Sequence, residues 1–272
     1  MKRIVTGIYI YPIKSLGGIS LQSSSFCSTG LQYDRRWMLV DKTGCFITQR
    51  EMKQLCLFAV SMNTTHFTVS YLHQQINIPL ALTKGERVMV KVWESEVEAI
   101  TANAEINNWF SMNLQRPVKL VYMPDTTYRS INPAHVINNE QVGFADGYPV
   151  LMIGEASLHL LQSKVSEVIP MDRFRPNIVF NSVQPHEEDL WQYFTINTLT
   201  LRGIKPCKRC VVTTINQQNS AMGAEPLKTL STYRKVDNHI LFGQNVAVPA
   251  VGNFDVGDEI TVVNYLPLSL PT

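Results

Sequence analysis

The amino-acid sequence predicts a β-rich α+β fold in which short strands form barrel-like or sandwich-like sheets. Apolar and polar residues alternate over several short segments, for example residues 67–71 and 87–93, and a period of two is typical of half-buried strands. Turn-forming residues separate these segments at short intervals. A chain of 272 residues is long enough for one large domain or two.

The composition is that of a globular protein with few charges. Apolar residues make up 45% and charged residues 17%. Lys and Arg number 24 against 22 Asp and Glu, a net charge of +2, and no basic run favours a nucleic-acid partner. Five cysteines without disulfide-framework spacing fit a reducing compartment. Neither a secretory signal nor an uninterrupted apolar run of about 18 residues is visible, so we expect a cytoplasmic protein without a membrane span.

Alternation and turn signals define the elements of the first half. Residues 4–11 form a strand that Pro12 ends, because proline cannot donate to a ladder. Thr101 or Asn103 can cap a helix that runs to about residue 112. Further strands are predicted over residues 21–27, 37–40, 45–48, 57–62, 67–72, 76–80 and 87–93.

The second half continues the pattern with a few helices. A helix opens near residue 155, carries an apolar stripe that reaches Val168, and stops at Pro170; a second, short helix covers residues 227–235. Residues 126–143 form a long polar loop, and such loops are often binding loops. Strands are predicted over residues 118–123, 150–153, 178–180, 195–201, 211–215, 246–248 and 260–263.

Two thiols lie among three cations in the run Lys205-Pro206-Cys207-Lys208-Arg209-Cys210. The β-branched residues that follow predict a strand over residues 211–215, which places both cysteines on a loop that enters a sheet. The neighbouring cations favour thiolate over thiol, and thiolate is both the nucleophilic and the metal-binding form.

Four interpretations of this motif can be compared on chemistry alone. A dithiol redox site usually lies at a helix N-terminus, and this run does not fit that setting. A zinc site needs further ligands, and its signal is weak because Cys27, Cys45 and Cys56 are isolated. A single soft thiolate could hold a metal or cofactor whose anionic groups the basic neighbours neutralise. The remaining interpretation is a structural cysteine beside a solvated basic turn. Phosphate-loop, dinucleotide, zinc-protease and nucleophile-elbow motifs are absent.

Several motifs in order along the chain resemble those of one family. They are Tyr11-Pro12-Ile13-Lys14-Ser15, Asp34-Arg35-Arg36-Trp37, Phe174-Arg175-Pro176-Asn177, the cysteine motif with Thr213-Thr214, and Phe242-Gly243-Gln244-Asn245. The sequence resembles the MOSC proteins, named after the C-terminal domain of molybdenum cofactor sulfurases. Within them it is similar to the YcbX-like and amidoxime-reducing branch, which lacks a pyridoxal phosphate site. The resemblance implies an N-terminal MOSC-type β-barrel domain over residues 1–115 and a MOSC β-barrel domain over residues 116–266, with a few flanking helices.

The resemblance also implies a site for the molybdenum cofactor. Cys210 would be the thiolate ligand of molybdenum and the catalytic residue, and Cys207 a neighbour that does not bind the metal. A cofactor with a phosphate and a dithiolene suits basic side chains and a soft sulfur donor. The cofactor-binding residues implied by the resemblance are Lys14, Ser15, Arg35, Asp146, Gly147, Tyr148, Arg175, Lys208, Arg209 and Asn245.

The activity implied by the resemblance is reduction of small N-hydroxylated compounds by a molybdenum-dependent oxidoreductase. Many YcbX-like proteins carry a C-terminal ferredoxin domain, and this sequence shows none before Thr272, so electrons are expected from a separate iron–sulfur or flavin protein. One alternative is a non-redox protein that carries the molybdenum cofactor or transfers sulfur. A zinc-binding or purely structural β-protein is the other.

Overall fold

The structure is a computed structural model that describes residues 2–137, 139–248 and 251–266. Strands account for 41% and helices for 16% of these residues, which confirms the β-rich fold. In the described residues the strands are β1 (Arg3–Ile10), β2 (Ile19–Leu21), β3 (Ser23–Cys27), β4 (Gly30–Leu31), β5 (Trp37–Val40), β6 (Ala59–Met62), β7 (His66–Tyr71), β8 (Gln74–Pro79), β9 (Arg87–Val92), β10 (Ser95–Thr101), β11 (Lys119–Tyr122), β12 (Val150–Gly154), β13 (Ile178–Phe180), β14 (Trp191–Ile196), β15 (Leu199–Lys208), β16 (Lys235–Val236), β17 (His239–Ala247), β18 (Gly252–Asp255) and β19 (Glu259–Tyr265).

The helices are few and short. In the same residues the α-helices are α1 (Ala104–Leu114), α2 (Glu155–Gln162) and α3 (Leu227–Leu230), and the 3-10 helices are Lys53–Leu57, Pro133–His135, Met171–Phe174, Glu187–Leu190 and Val211–Thr214. None of the helices in these residues has the length and apolar character that crossing a membrane requires.

Seven strands of the described chain close into a barrel, in the order β12, β13, β1, β19, β14, β15 and β17, and β17 pairs back onto β12. The strands are antiparallel except for the parallel pair β12 and β13. Val5, Ile8, Phe180 and Phe194 are fully buried in the core of the barrel. The barrel therefore combines strands from both ends of the chain.

The first half of the chain builds a separate core. Strands β5, β11, β10 and β9 form one antiparallel sheet and β6, β7 and β8 another. Helix α1 packs Trp109 and Phe110 against Phe58. The Asn103 side chain accepts a hydrogen bond from the N–H of Ile106, and this cap begins the helix as predicted.

The domain limits between residues 115 and 116 stay a prediction. The structure adds that β1 pairs with β13 and β19 of the second half, with Val5 opposite Phe180 and Arg3 opposite Ile260. The residues directly after β1 turn towards the first half, because the N–H of Lys14 donates to the Trp37 carbonyl oxygen at 2.8 Å. Strand β1 thus links the barrel to the sheets of the first half.

The predicted strand over residues 211–215 is wrong, since residues Val211–Thr214 form a 3-10 helix. The hydroxyl groups of Thr213 and Thr214 donate to the carbonyl oxygens of Cys210 and Val211 at 3.0 and 2.8 Å. Such local side-chain bonds compete with strand pairing, and β-branched composition alone does not reveal them. The strand lies before Cys210 instead: β15 includes Cys207 and ends at Lys208, so only Cys210 of the two cysteines is outside the sheet.

Several other element predictions are wrong in extent. The helix predicted over residues 227–235 ends at Leu230, and the strand predicted over residues 45–48 is reduced to isolated bridges at Cys45 and Phe46. Residues 195–201 form a hairpin instead of one strand, because Asn197 adopts a left-handed φ of 51° between β14 and β15. Helix α2 ends at Gln162, well short of Pro170, and Val168 is 81% exposed. The Gln162 side chain caps the segment that follows, since its Oε1 accepts from the N–H of Ile169 at 2.8 Å.

Replacing Gly203 by Ala should destabilise the barrel. A Cβ atom there would lie 2.0 Å from the Trp191 carbonyl oxygen, so β14 and β15 would be forced apart. We expect the free energy of unfolding to fall by about 1–3 kcal/mol, as for other overpacking substitutions. Urea denaturation measures this. Gly223→Ala is the matched control, because a Cβ atom there meets nothing within 4 Å; equal stability of the two variants would contradict the close approach.

Glu188 should make stability depend on pH. Burial, together with the charge of Asp189, raises the pKa of its carboxyl group from 4.5 to about 7. The folded protein therefore keeps a proton that the unfolded chain releases, so the free energy of unfolding should fall as the pH rises between these values. The free energy of unfolding of the wild type should fall by roughly 3 kcal/mol over this pH range, and Glu188→Gln should remove that fall. Urea denaturation of both proteins at pH 5 and pH 8 provides the test, and identical pH dependence would refute the buried proton.

Candidate functional site

A cavity of about 190 Å³ lies where the barrel meets the loops of the first half. Cys210 and all ten residues that the sequence predicts as cofactor-binding line it. They come from six separate parts of the chain: the turn after β1, the turn before β5, the loop before β12, the residue after the 3-10 helix Met171–Phe174, the end of β15 with the residues after it, and β17. The fold thus brings the predicted residues together, and their individual roles stay predictions.

The lining of this cavity is strongly basic. Seven cationic side chains line it, namely Lys14, Arg35, Arg50, Arg173, Arg175, Lys208 and Arg209, whereas Asp146 is the single carboxylate among the described lining residues. The whole chain has a net charge of only +2. Positive charge concentrated in a concave, partly desolvated cavity favours the binding of an anionic ligand.

Asp146 organises the open side of the cavity. Its Oδ1 accepts from Lys14 Nζ at 2.5 Å and its Oδ2 from Arg50 Nη2 at 3.0 Å. Burial acts to raise the pKa of the Asp146 carboxyl group, but Lys14 and Arg50 hold that pKa well below its usual range. Burial lowers the pKa of Lys14, against the opposing effect of Asp146. Arg129 fixes the loop itself by donating to the carbonyl oxygen of Ala145 at 2.6 Å and to that of Asp146 at 3.1 Å.

Arg35 and Arg175 both contact the ring of Tyr11. Their guanidinium carbons lie 4.4 and 4.1 Å from the ring centre. Arg35 is held by Asp34 at 2.6 Å and Asn177 at 3.0 Å. Two like charges on one aromatic ring repel each other, and burial and Arg35 lower the pKa of Arg175 to about 10.

Three lining residues adopt a left-handed backbone. Ser15, Arg35 and Arg175 have φ values of 73°, 46° and 54°, although left-handed φ values cost L-residues about 1–2 kcal/mol. Neighbouring hydrogen bonds hold these turns; for example, the N–H of Arg35 donates to the Tyr11 carbonyl oxygen at 2.9 Å. Strain of this kind is concentrated at functional sites in proteins.

The donor set fits a cofactor that carries a phosphate and soft sulfur atoms. Arg175 Nη2 and Arg209 Nε are buried and have no hydrogen-bond partner among the described residues. Unused buried donors are costly, and an anionic oxygen in the cavity would satisfy them. The thiol of Cys210 supplies a soft donor in the same lining.

The two thiols have different partners. Arg50 Nη2 lies 3.4 Å from Cys210 Sγ, and Arg209 Nη1 lies 3.1 Å from Cys207 Sγ. The five cysteines in the structure are free. Among the described residues, no group of three or more His, Cys, Asp or Glu side chains could hold a metal ion. These residues therefore give no support to the zinc alternative.

Among the lining residues that were not predicted from the sequence as part of the site are Arg50, Arg173, Asn177 and Thr213. Asn177 and Thr213 lie within the motifs of the family resemblance. Arg50 stands outside the motifs of the family resemblance, and nothing in the sequence brings it near Cys210. Arg173 is a different case, because it is buried and donates to the carbonyl oxygens of Thr213 and Glu225 at 2.7 and 2.8 Å. It therefore braces the segment behind the cysteines.

Comparison with known proteins defines the class. Residues 2–117 match the MOSC N-terminal beta barrel domain, and residues 139–261 match the MOSC domain. Together the two matches cover most of the chain, which belongs to the MOSC family.

Among its relatives is mitochondrial amidoxime reducing component 2 of Rattus norvegicus, 28% identical over 94% of this chain and 82% of the relative. Mitochondrial amidoxime-reducing component 1 of Homo sapiens is 27% identical over the same shares. The molybdenum cofactor sulfurase of Solanum lycopersicum is 27% identical over 89% of this chain but only 33% of its own length. The chain is thus a MOSC protein related to proteins of molybdenum cofactor chemistry.

The unused donor of Arg175, its Nη2 atom, leads to a prediction about stability. Arg175→Met should raise the free energy of unfolding by about 1–3 kcal/mol, because it removes a buried charge whose Nη2 atom has no hydrogen-bond partner among the described residues. The same change should abolish most of the stabilisation that inorganic pyrophosphate gives the cofactor-free protein. Thermal denaturation with and without pyrophosphate measures both effects. Arg87→Met, at an exposed arginine, is the control; undiminished stabilisation of the Arg175 variant by pyrophosphate would be the contradicting result.

Proposed function

We propose that this protein is a molybdenum cofactor-dependent oxidoreductase that reduces small N-hydroxylated compounds such as amidoximes, hydroxamic acids and N-hydroxylated bases. One observation carries the proposal: Cys210 and ten dispersed residues expected at such a site line one strongly basic cavity. The amidoxime-reducing names of the relatives indicate the reaction class.

The residues of the cavity would have different roles in binding the cofactor. Cys210 would supply the sulfur ligand, and Arg35, Arg175 and Arg209 would take the anionic groups, since two of them carry unused buried donors. Asp146 would keep Lys14 charged and in place on the open side. The bound cofactor would supply the two-electron redox chemistry, while the chain binds, orients and shields.

The overall reaction defines the partner that is needed. Breaking the N–O bond of an N-hydroxylated substrate consumes two electrons and two protons and releases the reduced nitrogen compound and water. No side chain of the cavity can supply two electrons repeatedly, so a separate iron–sulfur or flavin protein is proposed as the donor. The relatives' names refer to mitochondria, whereas a cytoplasmic location remains our proposal for this chain.

A carrier or sulfur-transfer function is the second candidate. The observation in its favour is that Cys207, beside Cys210 in the lining, has an arginine of its own, Arg209. Two thiols, each close to a cation, suit persulfide chemistry as well as metal ligation, and one relative is named a molybdenum cofactor sulfurase. A persulfide on either cysteine, detected by intact mass and lost on reduction, would favour this candidate over the reductase.

Metal analysis with an activity assay tests the primary proposal. Wild-type protein from a host that makes the cofactor should contain near-stoichiometric molybdenum and reduce benzamidoxime with a reduced viologen as the electron donor. Cys210→Ala should lose activity by two orders of magnitude or more, because the soft ligand is gone. Cys207→Ala is the matched control and should keep most of the activity.

Each outcome separates the alternatives. Full activity and molybdenum content in Cys210→Ala would falsify the assigned ligand. A wild-type protein with molybdenum but no turnover of any N-hydroxylated compound would point to the carrier function. Zinc, or no metal at all, in wild-type protein from the competent host would remove the reductase and the cofactor-carrier function, and the persulfide measurement would then decide on sulfur transfer.

A further inference from the structure

Arg50 contacts the sulfur of Cys210 directly. Its Nη2 atom lies 3.4 Å from Cys210 Sγ and 3.0 Å from Asp146 Oδ2. One nitrogen of one guanidinium group thus connects the thiol with the carboxylate that organises the open side of the cavity. A planar group with fixed donors gives its partners a defined direction, which a lysine ammonium group would not do.

The guanidinium group is itself held in place. The Trp93 ring centre lies 4.8 Å from the guanidinium carbon, within the range of a cation–π contact. The Trp93 indole N–H donates to Asp146 Oδ1 at 3.2 Å. Because Lys14 also donates to Asp146, Arg50 is bounded by a ring on one side and by an anchored carboxylate on the other.

The backbone that carries Arg50 is anchored as well. The preceding residue, Gln49, is 1% exposed, and its Nε2 donates to the Ser15 carbonyl oxygen at 2.6 Å and to Gln217 at 3.2 Å. The N–H of Arg50 is 3.2 Å from Thr48 Oγ1. This turn therefore connects the Ser15 turn with the segment that follows the cysteines.

The thiol of Cys207 contacts a different arginine. Cys207 lies 3.1 Å from Arg209, which also donates to the Phe174 carbonyl oxygen at 2.7 Å. Arg50 therefore distinguishes Cys210 from its neighbour, although both cysteines line the same cavity.

We propose that Arg50 is a positioning residue for the Cys210 sulfur, held by Trp93 and Asp146. It fixes the direction of the sulfur before the cofactor binds, and it withdraws electron density from the sulfur once the sulfur is a ligand. Hydrogen bonds to ligating sulfur atoms raise the reduction potential of a metal centre. The inference rests on the cofactor-binding part of the proposed function, and it holds whichever substrate is reduced.

Two measurements on Arg50→Gln, which keeps a polar side chain but removes the charge and the fork, test the inference. In protein loaded with the cofactor, the molybdenum reduction potential should fall and the electron paramagnetic resonance spectrum of the partly reduced protein should change. The kcat for N-hydroxylated substrates should fall by about 10-fold to 100-fold, with little change in KM. Arg50→Lys should restore part of the potential, because it keeps the charge without the fork.

Crystal structures of cofactor-free protein give an independent measurement. The wild type should show one position for Cys210 Sγ, whereas Arg50→Gln should show more than one. Trp93→Phe keeps a ring beside the guanidinium group but loses the indole N–H, and its effect on the potential should be smaller than that of Arg50→Gln. Arg87→Gln, at an exposed arginine paired with Glu98, is the control for loss of a surface charge.

The outcomes separate this inference from the proposed function. An unchanged potential and spectrum in Arg50→Gln, or a single unchanged Sγ position in its cofactor-free crystals, would overturn the positioning role. Inactivity of the wild type towards all N-hydroxylated compounds would overturn only the reductase proposal, because the potential, the spectrum and the crystals still report on Arg50. If the wild type binds no molybdenum, the crystals alone decide.

Discussion

The ion pairs of Asp146 are the interaction on which the rest of the site depends. The cavity collects seven cations, and like charges at this density would push one another outward into water. Asp146 binds two of them, Lys14 and Arg50, and the Trp93 indole N–H completes its contacts. One carboxylate thus permits a basic cavity to persist in a folded state whose overall charge is almost balanced.

The remaining cations are held by other means. Arg35 has the buried carboxylate of Asp34, and Arg173 and Arg209 use backbone carbonyl oxygens. Arg175 lies against the ring of Tyr11. Among the described residues, Arg175 Nη2 and Arg209 Nε are buried without a hydrogen-bond partner. The site is therefore preorganised at most positions and incompletely satisfied at these two, which is the arrangement expected where a ligand supplies the missing acceptors.

Much of the fold and the site could be predicted from the sequence, because the signals are local. Alternation located most strands, Asn103 marked the start of α1, and the short motifs contain many of the residues that line the cavity. The errors have a common physical origin in contacts that local pattern does not encode. The threonines after Cys210 bond to the backbone behind them, so a β-branched run becomes a 3-10 helix. Arg50 reaches Cys210 only through tertiary packing, and composition gives no sign of it.

The position of β1 between β13 and β19 has a consequence for how the protein is made. A strand from residues 3–10 pairs with one that ends at Tyr265, so the barrel cannot close during synthesis until β19 has emerged from the ribosome. Pairings of this sequence separation form slowly because loop-closure entropy is lost before contacts compensate for it. A ligand that needs the closed barrel must therefore arrive after β19 has been made, and the open barrel is the form that needs protection from aggregation until then.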